Sequence, residues 1–519
     1  VRRRRRLARP AEPQAAPRAR AGMIARIRST SWAVVVAPTL GAFLFSADTI
    51  TIQIANPRIG SSLHTGLDGL QWAANGFLLP FCVLLVAMGT LADKLGPRKV
   101  LLGGIAVFGA GEVLGALAPS IDVLVAGRVL AGIGGAAMMP AGVSALRLQI
   151  PEQRLVSAMA VWGAGAMGGV AVGGIVAGLL LKVASWRGVL WPLAIAAVIG
   201  FVIAAVTVED RRVEHPQKLK PVWNIGLALG LGGMVWGLTQ AGSHGWGSLD
   251  TLLPVLLGVG VIAGTGVLAV PELRRTALDV DLPRIGVAFA AVITANFGVV
   301  ALSFFLTIWL QRVAGWSALG AAVLLLPFFG LSAVTALYSG KLIGRFGKER
   351  VLVASFVFEL VGLLGLMRLD RSTPYGEIVP FLILTGVGLA LSLTALAMVL
   401  LGSAPADRGG LMSGLQVSAN QIGGVLAIAL LGAIVASSVG PRYADGLAEA
   451  GLPRSVPASV RSGLGQGIAP DGVPQHALGL QAFSQSVGVA LAIGAGAAGL
   501  GLLLSLWLLR RQRRQPATA

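Results

Sequence analysis

Gly89-Thr90-Leu91-Ala92-Asp93-Lys94-Leu95-Gly96-Pro97-Arg98-Lys99-Val100-Leu101 is a short charged turn between two long apolar runs. It opens on glycine and carries both signs of charge. A worn copy returns as Gly340-Lys341-Leu342-Ile343-Gly344-Arg345-Phe346-Gly347-Lys348-Glu349-Arg350-Val351-Leu352, and Gly340 lies 251 residues after Gly89. A helix–basic turn–helix unit repeated at that distance divides the chain into two related halves, each a bundle able to move against the other.

The runs around the turn are long enough to cross a bilayer, which takes roughly 20 apolar residues. Fourteen segments meet that rule: 32–54, 71–91, 100–118, 123–146, 156–181, 188–208, 223–241, 251–270, 286–310, 318–340, 351–367, 378–402, 411–438 and 478–509. Only 12% of the 519 residues are charged, and mean hydropathy is +0.80. A soluble chain carries about 25% charged residues, so polar surface here is too scarce to cover a water-soluble fold of this size. The 72 glycines suit helices that pack through small residues. The expected fold is an all-α polytopic membrane protein, with two six-helix bundles plus two inserted helices.

The net charge of +19 sits in the tails and in alternate loops, which reads as membrane topology rather than as a nucleic-acid surface. With the N-terminal tail placed inside, 31 Lys and Arg fall in inner segments and 9 in outer ones, and Arg128 stays within a span. The positive-inside rule then puts both termini in the cytoplasm, with the chain in the cell membrane. Arg2 to Arg6 precede a full span containing Asp48, so that span is read as retained rather than cleaved. Cys82, the single cysteine, leaves no intrachain disulfide. His64, His215, His244 and His476 fall in loops, and no zinc spacing, phosphate-binding loop or nucleophile elbow occurs. The expectation is therefore a protein that is not an enzyme, with no metal, no cofactor and no ATP motor.

Six spans with short loops occupy roughly 190 residues, so an offset of 251 leaves room for one extra helix pair. The chain then divides into a disordered basic cytoplasmic tail (1–31), a first bundle (32–210), an inserted pair (211–283), a second bundle (284–509) with a long irregular outer loop (439–477), and a short cytoplasmic tail (510–519).

Within the spans, ionisable residues are costly and point to function. Asp48 stands in the first span, and Arg128 is its candidate partner for proton coupling. Glu112 is a candidate second protonation site, and Glu359 also falls inside a span. Gly89, Asp93, Gly96, Arg98 and Lys99, with Gly340, Arg345 and Gly347 of the second copy, form a candidate inner gate in which opposite charges latch helix ends. Asp93 is matched by Gly344, which places the acidic part of that latch on the first bundle only. Gly165, Gly169, Gly173 and Gly174 are spaced for close helix contact. Trp72, Met138, Trp162, Asn296, Phe297, Phe304, Gln311, Asn420 and Gln421 are candidate cavity residues, because aromatic faces and adaptable apolar side chains suit hydrophobic ligands and organic cations.

Over its membrane part the sequence resembles the major facilitator superfamily. Gly89–Leu101 resembles that superfamily's motif A, and Gly340–Leu352 its second-half copy, with Gly344 where an acidic residue would stand. Leu124–Ala136 resembles motif B and keeps Arg128, with Ala131 in place of a glutamine. Gly165–Gly174 resembles motif C, the signature of antiporters, with Val170 in place of its proline. Asp48-Thr49-Ile50, Ser185-Trp186-Arg187, Gly245-Trp246 and Leu310-Gln311 resemble features of the fourteen-helix branch. The resemblance implies a drug:proton antiporter that exports hydrophobic or amphipathic compounds, with Asp48 and Arg128 in the coupling site and Asp93 and Arg98 at the inner gate. Its partners would be the substrate, protons and the lipid bilayer, with no nucleic acid and no obligatory protein partner. The alternatives are export of an endogenous metabolite or lipid and, from a different class, a non-transporting membrane sensor or scaffold.

Overall fold

The computed structural model describes residues 32–211, 221–276, 281–370, 373–403, 409–470, 472 and 474–514. The basic tail 1–31, Arg408 and residues 515–519 lie outside them. The first half holds α1 (Ala33–Leu63), α2 (Leu67–Leu95), α3 (Pro97–Ala116), α4 (Ile121–Gln149), α5 (Glu152–Val183) and α6 (Trp191–Thr207). The inserted pair is α7 (Pro221–His244) and α8 (Leu249–Thr276). The second half runs through α9 (Leu282–Arg312), α10 (Ala318–Leu324), α11 (Leu326–Phe346), α12 (Lys348–Gly365), α13 (Tyr375–Leu401), α14 (Gly409–Glu449), the short α15 (Ala458–Leu464) and α16 (Gln475–Arg514). Among the described residues 14 helical segments are long and apolar enough to cross a membrane, α10 and α11 together making one.

Several helices outrun their apolar stretches. The first span, expected at 32–54, continues through Pro57 to Leu63. The stretch 439–477 was expected to be irregular, but α14 extends to Glu449 and α15 forms within it. Likewise α16 reaches Arg514, into the segment expected as a tail. Hydropathy marks the part of a helix that meets lipid, whereas backbone hydrogen bonds carry the helix on into water wherever propensity allows.

The helix ends follow local chemistry. Ser120 caps α4 by accepting from the Val123 N–H, and Asp281 caps α9 by accepting from that of Arg284. The turn between α2 and α3 needs Gly96 at φ 95°, and the turn between α11 and α12 needs Gly347 at φ 86°. Both angles suit glycine, and the two positions share the 251-residue offset. The packing repeats as well. Gly111 of α3 presses on α4, where an added Cβ would lie 2.6 Å from the Gly127 carbonyl oxygen. Gly362 of α12 presses on α13, where one would lie 2.8 Å from that of Phe381.

In the first half α1 packs on α5, and α4 on α2 and α3; in the second, α9 packs on α14 and α16, and α13 on α11 and α12. The inserted helices pair with each other, and α7 lies across both α2 and α14. Exposed apolar side chains such as Ile195, Val198, Leu229, Leu256 and Leu268 supply the lipid-facing surface.

The two ends of the molecule differ. One apolar core joins the halves from Ile54, Ile59 and Leu67 to Phe304, Leu306, Leu464 and Phe483, towards the end remote from the repeated turns, and in the first half it runs on to Ala92, Val100 and Leu101 at the turn itself. At the turn end the second half has its own core around Val292, Leu352, Phe356, Leu396 and Leu508. A separate cluster holds Val34, Val35, Leu146 and Ile150 of the first half.

Candidate functional site

Three buried ionisable side chains meet inside the first half. Arg128 of α4 donates through Nη1 to Asp48 Oδ1 at 2.5 Å and through Nη2 to Asp48 Oδ2 at 2.6 Å, a two-bond fork onto α1. Its Nη1 also lies 3.4 Å from Glu112 Oε1 on α3. The remaining contacts of the guanidinium fix its plane: Nε donates to the Ala73 carbonyl of α2 at 3.2 Å, and the Phe77 ring lies beneath, 4.6 Å from Cζ. Asp48 is 0%, Glu112 1% and Arg128 2% exposed. One arginine thus faces two carboxylates out of contact with water, and Glu112 Oε2 has no hydrogen-bond partner. A charge cluster of this kind changes its net charge by taking up one proton, with no cofactor.

The glycine stripe brings Asp48 to this place. Gly165, Gly169 and Gly173 recur every fourth residue on α5 and lie against Thr39, Phe43 and Ala47 of α1, and a Cβ on Gly173 would come 2.7 Å from Ala47 Cα. Gly174 faces Ile50 of α1 and Ala322 of the opposite half.

At the turn end, Asp93 is half-buried and accepts from Ser144 of α4 at 3.5 Å. Arg98 donates to the Ala205 carbonyl of α6 at 2.7 Å, and Lys99 lies 3.7 Å from Asp210. Gly89 lies against Pro140. All these contacts stay within the first half. In the second copy Gly340, Gly344 and Gly347 have open space where a side chain would be, and Arg345 is exposed. The second turn carries its acid at a different position from Asp93. Glu349 is buried and accepts from Arg284 of α9 at 2.6 Å.

The candidate cavity residues are scattered. Phe304 is fully buried and meets Phe305 edge to face, and Phe297 and Met138 are also in packed core. Trp72 meets Trp236 of the inserted α7 at 5.8 Å, and Trp162 packs beside the Val34–Leu146 cluster. Asn296 donates to the Asn420 carbonyl, and Gln421 is partly buried beside it on α14. Gln311 does something else: its Nε2 donates across the halves to the Ile54 carbonyl of α1 at 3.1 Å.

Gln311 belongs to a clamp at the remote end. Arg312 donates to the Pro57 carbonyl, and Gln466 beyond α15 donates to that of Thr65. Gln71 of α2 donates to the Ile428 and Ala429 carbonyls of α14 at 2.7 and 3.0 Å. Every acceptor is a backbone carbonyl, which every residue possesses. No pairing of residue types in the sequence announces these bonds.

The sequence profile described as Major Facilitator Superfamily matches residues 39–444. The chain belongs to that superfamily. Its members are membrane transporters, so this chain is a multi-pass membrane protein and not an enzyme. It is 34% identical over 440 residues to the tetracenomycin C resistance and export protein of Streptomyces glaucescens, covering 83% of this chain and 81% of that one. It is 29% identical over 499 residues to the multidrug efflux pump LfrA of Mycolicibacterium smegmatis, covering 90% and 97%. In fold it resembles the bacterial homologue of the human lysosomal transporter Spinster, solved inward-facing and occupied, at a TM-score of 0.67 with 18% identity, covering 93% of this chain and 98% of that one.

Proposed function

We propose that this major facilitator protein exports hydrophobic or amphipathic compounds in exchange for protons, by alternating access of the two halves. The observation that carries the reading is the buried fork between Arg128 and Asp48, with Glu112 beside it. Buried charges without a task are costly in a membrane helix. The names of the similar export and efflux proteins support the direction and the substrate class. The excess of basic residues at the turn end supports a cytoplasmic position for that end and for both termini. The first bundle spans 32–210 and the second begins at 284, with α7 and α8 inserted between two mobile bundles.

On this reading the structure is inward-facing, since the clamp lies at the outer end. A proton arriving from outside converts the cluster from one net negative charge to neutral and loosens the hold of Asp48 on Arg128. Substrate leaves outward before that step. The neutral cluster favours return to the inward state, where the proton passes to the cytoplasm.

Asp48→Asn keeps the size of the side chain and removes the charge. In proteoliposomes it is expected to abolish ethidium transport driven by a pH gradient, a loss of at least 100-fold. It is expected to keep ethidium exchange at equal concentrations on both sides, which needs no proton turnover. Gradient-driven transport at the wild-type rate would exclude Asp48 from coupling.

A further inference from the structure

About two and a half turns beyond Asp48, α1 carries Pro57 inside it. Proline has no N–H to bond the carbonyl of Gln53 four residues earlier, so this carbonyl is released from the helix ladder. The side chains here are also unsatisfied. Asn56 is 0% exposed, and neither its Nδ2 nor its Oδ1 has a partner; Gln53 is 6% exposed, and its Oε1 has none. Asn56 lies eight residues after Asp48, about 12 Å along the helix axis, and about 80° round it. Buried polar groups of this kind are ordinarily satisfied by ordered water, which needs two to four polar partners. An amide with both atoms free, a second amide oxygen and a released carbonyl on one turn supply them.

The opposite half holds this same turn. Gln311 donates to the Ile54 carbonyl and Arg312 to that of Pro57, residues that flank Asn56 in the sequence. The guanidinium of Arg312 therefore sits at the next carbonyl beyond Asn56 along α1, on the side of the remote end. A fixed positive charge at a narrow water path repels protons. Arg128 and Glu112 face Asp48 from α4 and α3, Arg312 faces the Pro57 turn from α9, Arg187 stands on the turn Trp186–Val189 packed against α1 and donates to the Ala118 carbonyl, and Arg58, His64 and Asp68 are exposed at the remote end.

We propose that Gln53 and Asn56 hold the water through which protons from the remote end reach Asp48, and that Arg312 is the plug of this route while the halves are closed there. The proposal rests on the reading of Asp48 as the coupling site. It assigns Arg312 a task that a mere structural clamp lacks: preventing proton leak when no substrate moves.

The test uses the full chain in proteoliposomes with trapped pyranine, an external acid pulse, and the membrane potential clamped by potassium and valinomycin. Ethidium exchange without a gradient reports that each variant is folded. Arg312→Gln is expected to raise substrate-free proton entry at least 5-fold with ethidium exchange unchanged. Arg312→Lys, which keeps the charge, is expected to leak like the wild type. Asn56→Leu is expected to return the Arg312→Gln leak to the wild-type level. On its own it is expected to slow gradient-driven transport at least 5-fold without slowing exchange. Wild-type leak in Arg312→Gln would overturn the plug. If that variant fails to exchange ethidium, Asn56→Leu decides alone, and an unchanged gradient-driven rate overturns the route. A leak that persists in Arg312→Gln/Asp48→Asn would show that the route does not end at Asp48, and the proposal falls while coupling stands. Gradient-driven transport surviving in Asp48→Asn overturns the coupling reading instead, and with it the route's destination.

Discussion

The turns at 89–101 and 340–352 share a backbone and differ in chemistry. Gly96 and Gly347 adopt nearly the same positive φ, and each opens onto the next helix of its half. Two residues on, Arg98 stands in the first turn and Glu349 in the second. Arg98 reaches a carbonyl at the end of α6, whereas Glu349 is buried against Arg284 at the start of α9. The same geometric slot thus fastens each turn to a different helix with opposite charge. The difference teaches that the repeat preserved the turn and not its anchor, because a tight turn has few backbone solutions while an anchor needs only some complementary group within reach.

The comparison is most exposed at Glu349. Glu349→Ala leaves Arg284 without its buried partner, and unpaired buried charges cost about 3 kcal/mol or more. A fall in the thermal midpoint of the purified protein is expected, largely reversed by adding Arg284→Ala. If Arg98→Ala were as damaging, the two anchors would be equivalent despite their chemistry. A smaller effect tests the shared part. Gly96→Ala and Gly347→Ala each force a side chain into a backbone region that disfavours it, at about 1–2 kcal/mol. Equal losses of stability are expected at the two sites, and a loss at one alone would break the repeat of the turn. The smallest stability effect is expected at Asp93, where Asp93→Asn keeps a hydrogen bond with Ser144 and costs less than about 1 kcal/mol. Its consequence is expected in rate: ethidium transport slows, while Gly344→Asp, in open space, leaves it unchanged. Equal transport in both variants would make the first turn a plain solvated loop.

Much of the candidate site was legible because charge inside an apolar run stands out. Asp48, Arg128 and Glu112 are conspicuous in this way, and the spacing of Gly165, Gly169 and Gly173 announced a close helix contact. Their convergence was less legible. Glu112 lies 16 residues from Arg128 and Asp48 lies 80 residues from it, and nothing in those separations says that one guanidinium serves both acids. The Ala73 carbonyl and the Phe77 ring that orient Arg128 carry no signal at all. The cavity residues were hardest, since an aromatic in a span packs in the core, faces lipid or meets an inserted helix, as Phe304 and Trp72 illustrate.

What the sequence determined by itself was the lipid-facing fold, the two-part repeat and the presence of buried charge. These follow from hydropathy, offset and residue type, which are properties of segments. Only the tertiary structure decided that Gln311 and Arg312 reach the α1 carbonyls at Ile54 and Pro57, and that Glu349 of the second turn is held by Arg284. Those contacts join distant segments, several through backbone carbonyls common to every residue, so the fold must exist before they can be seen.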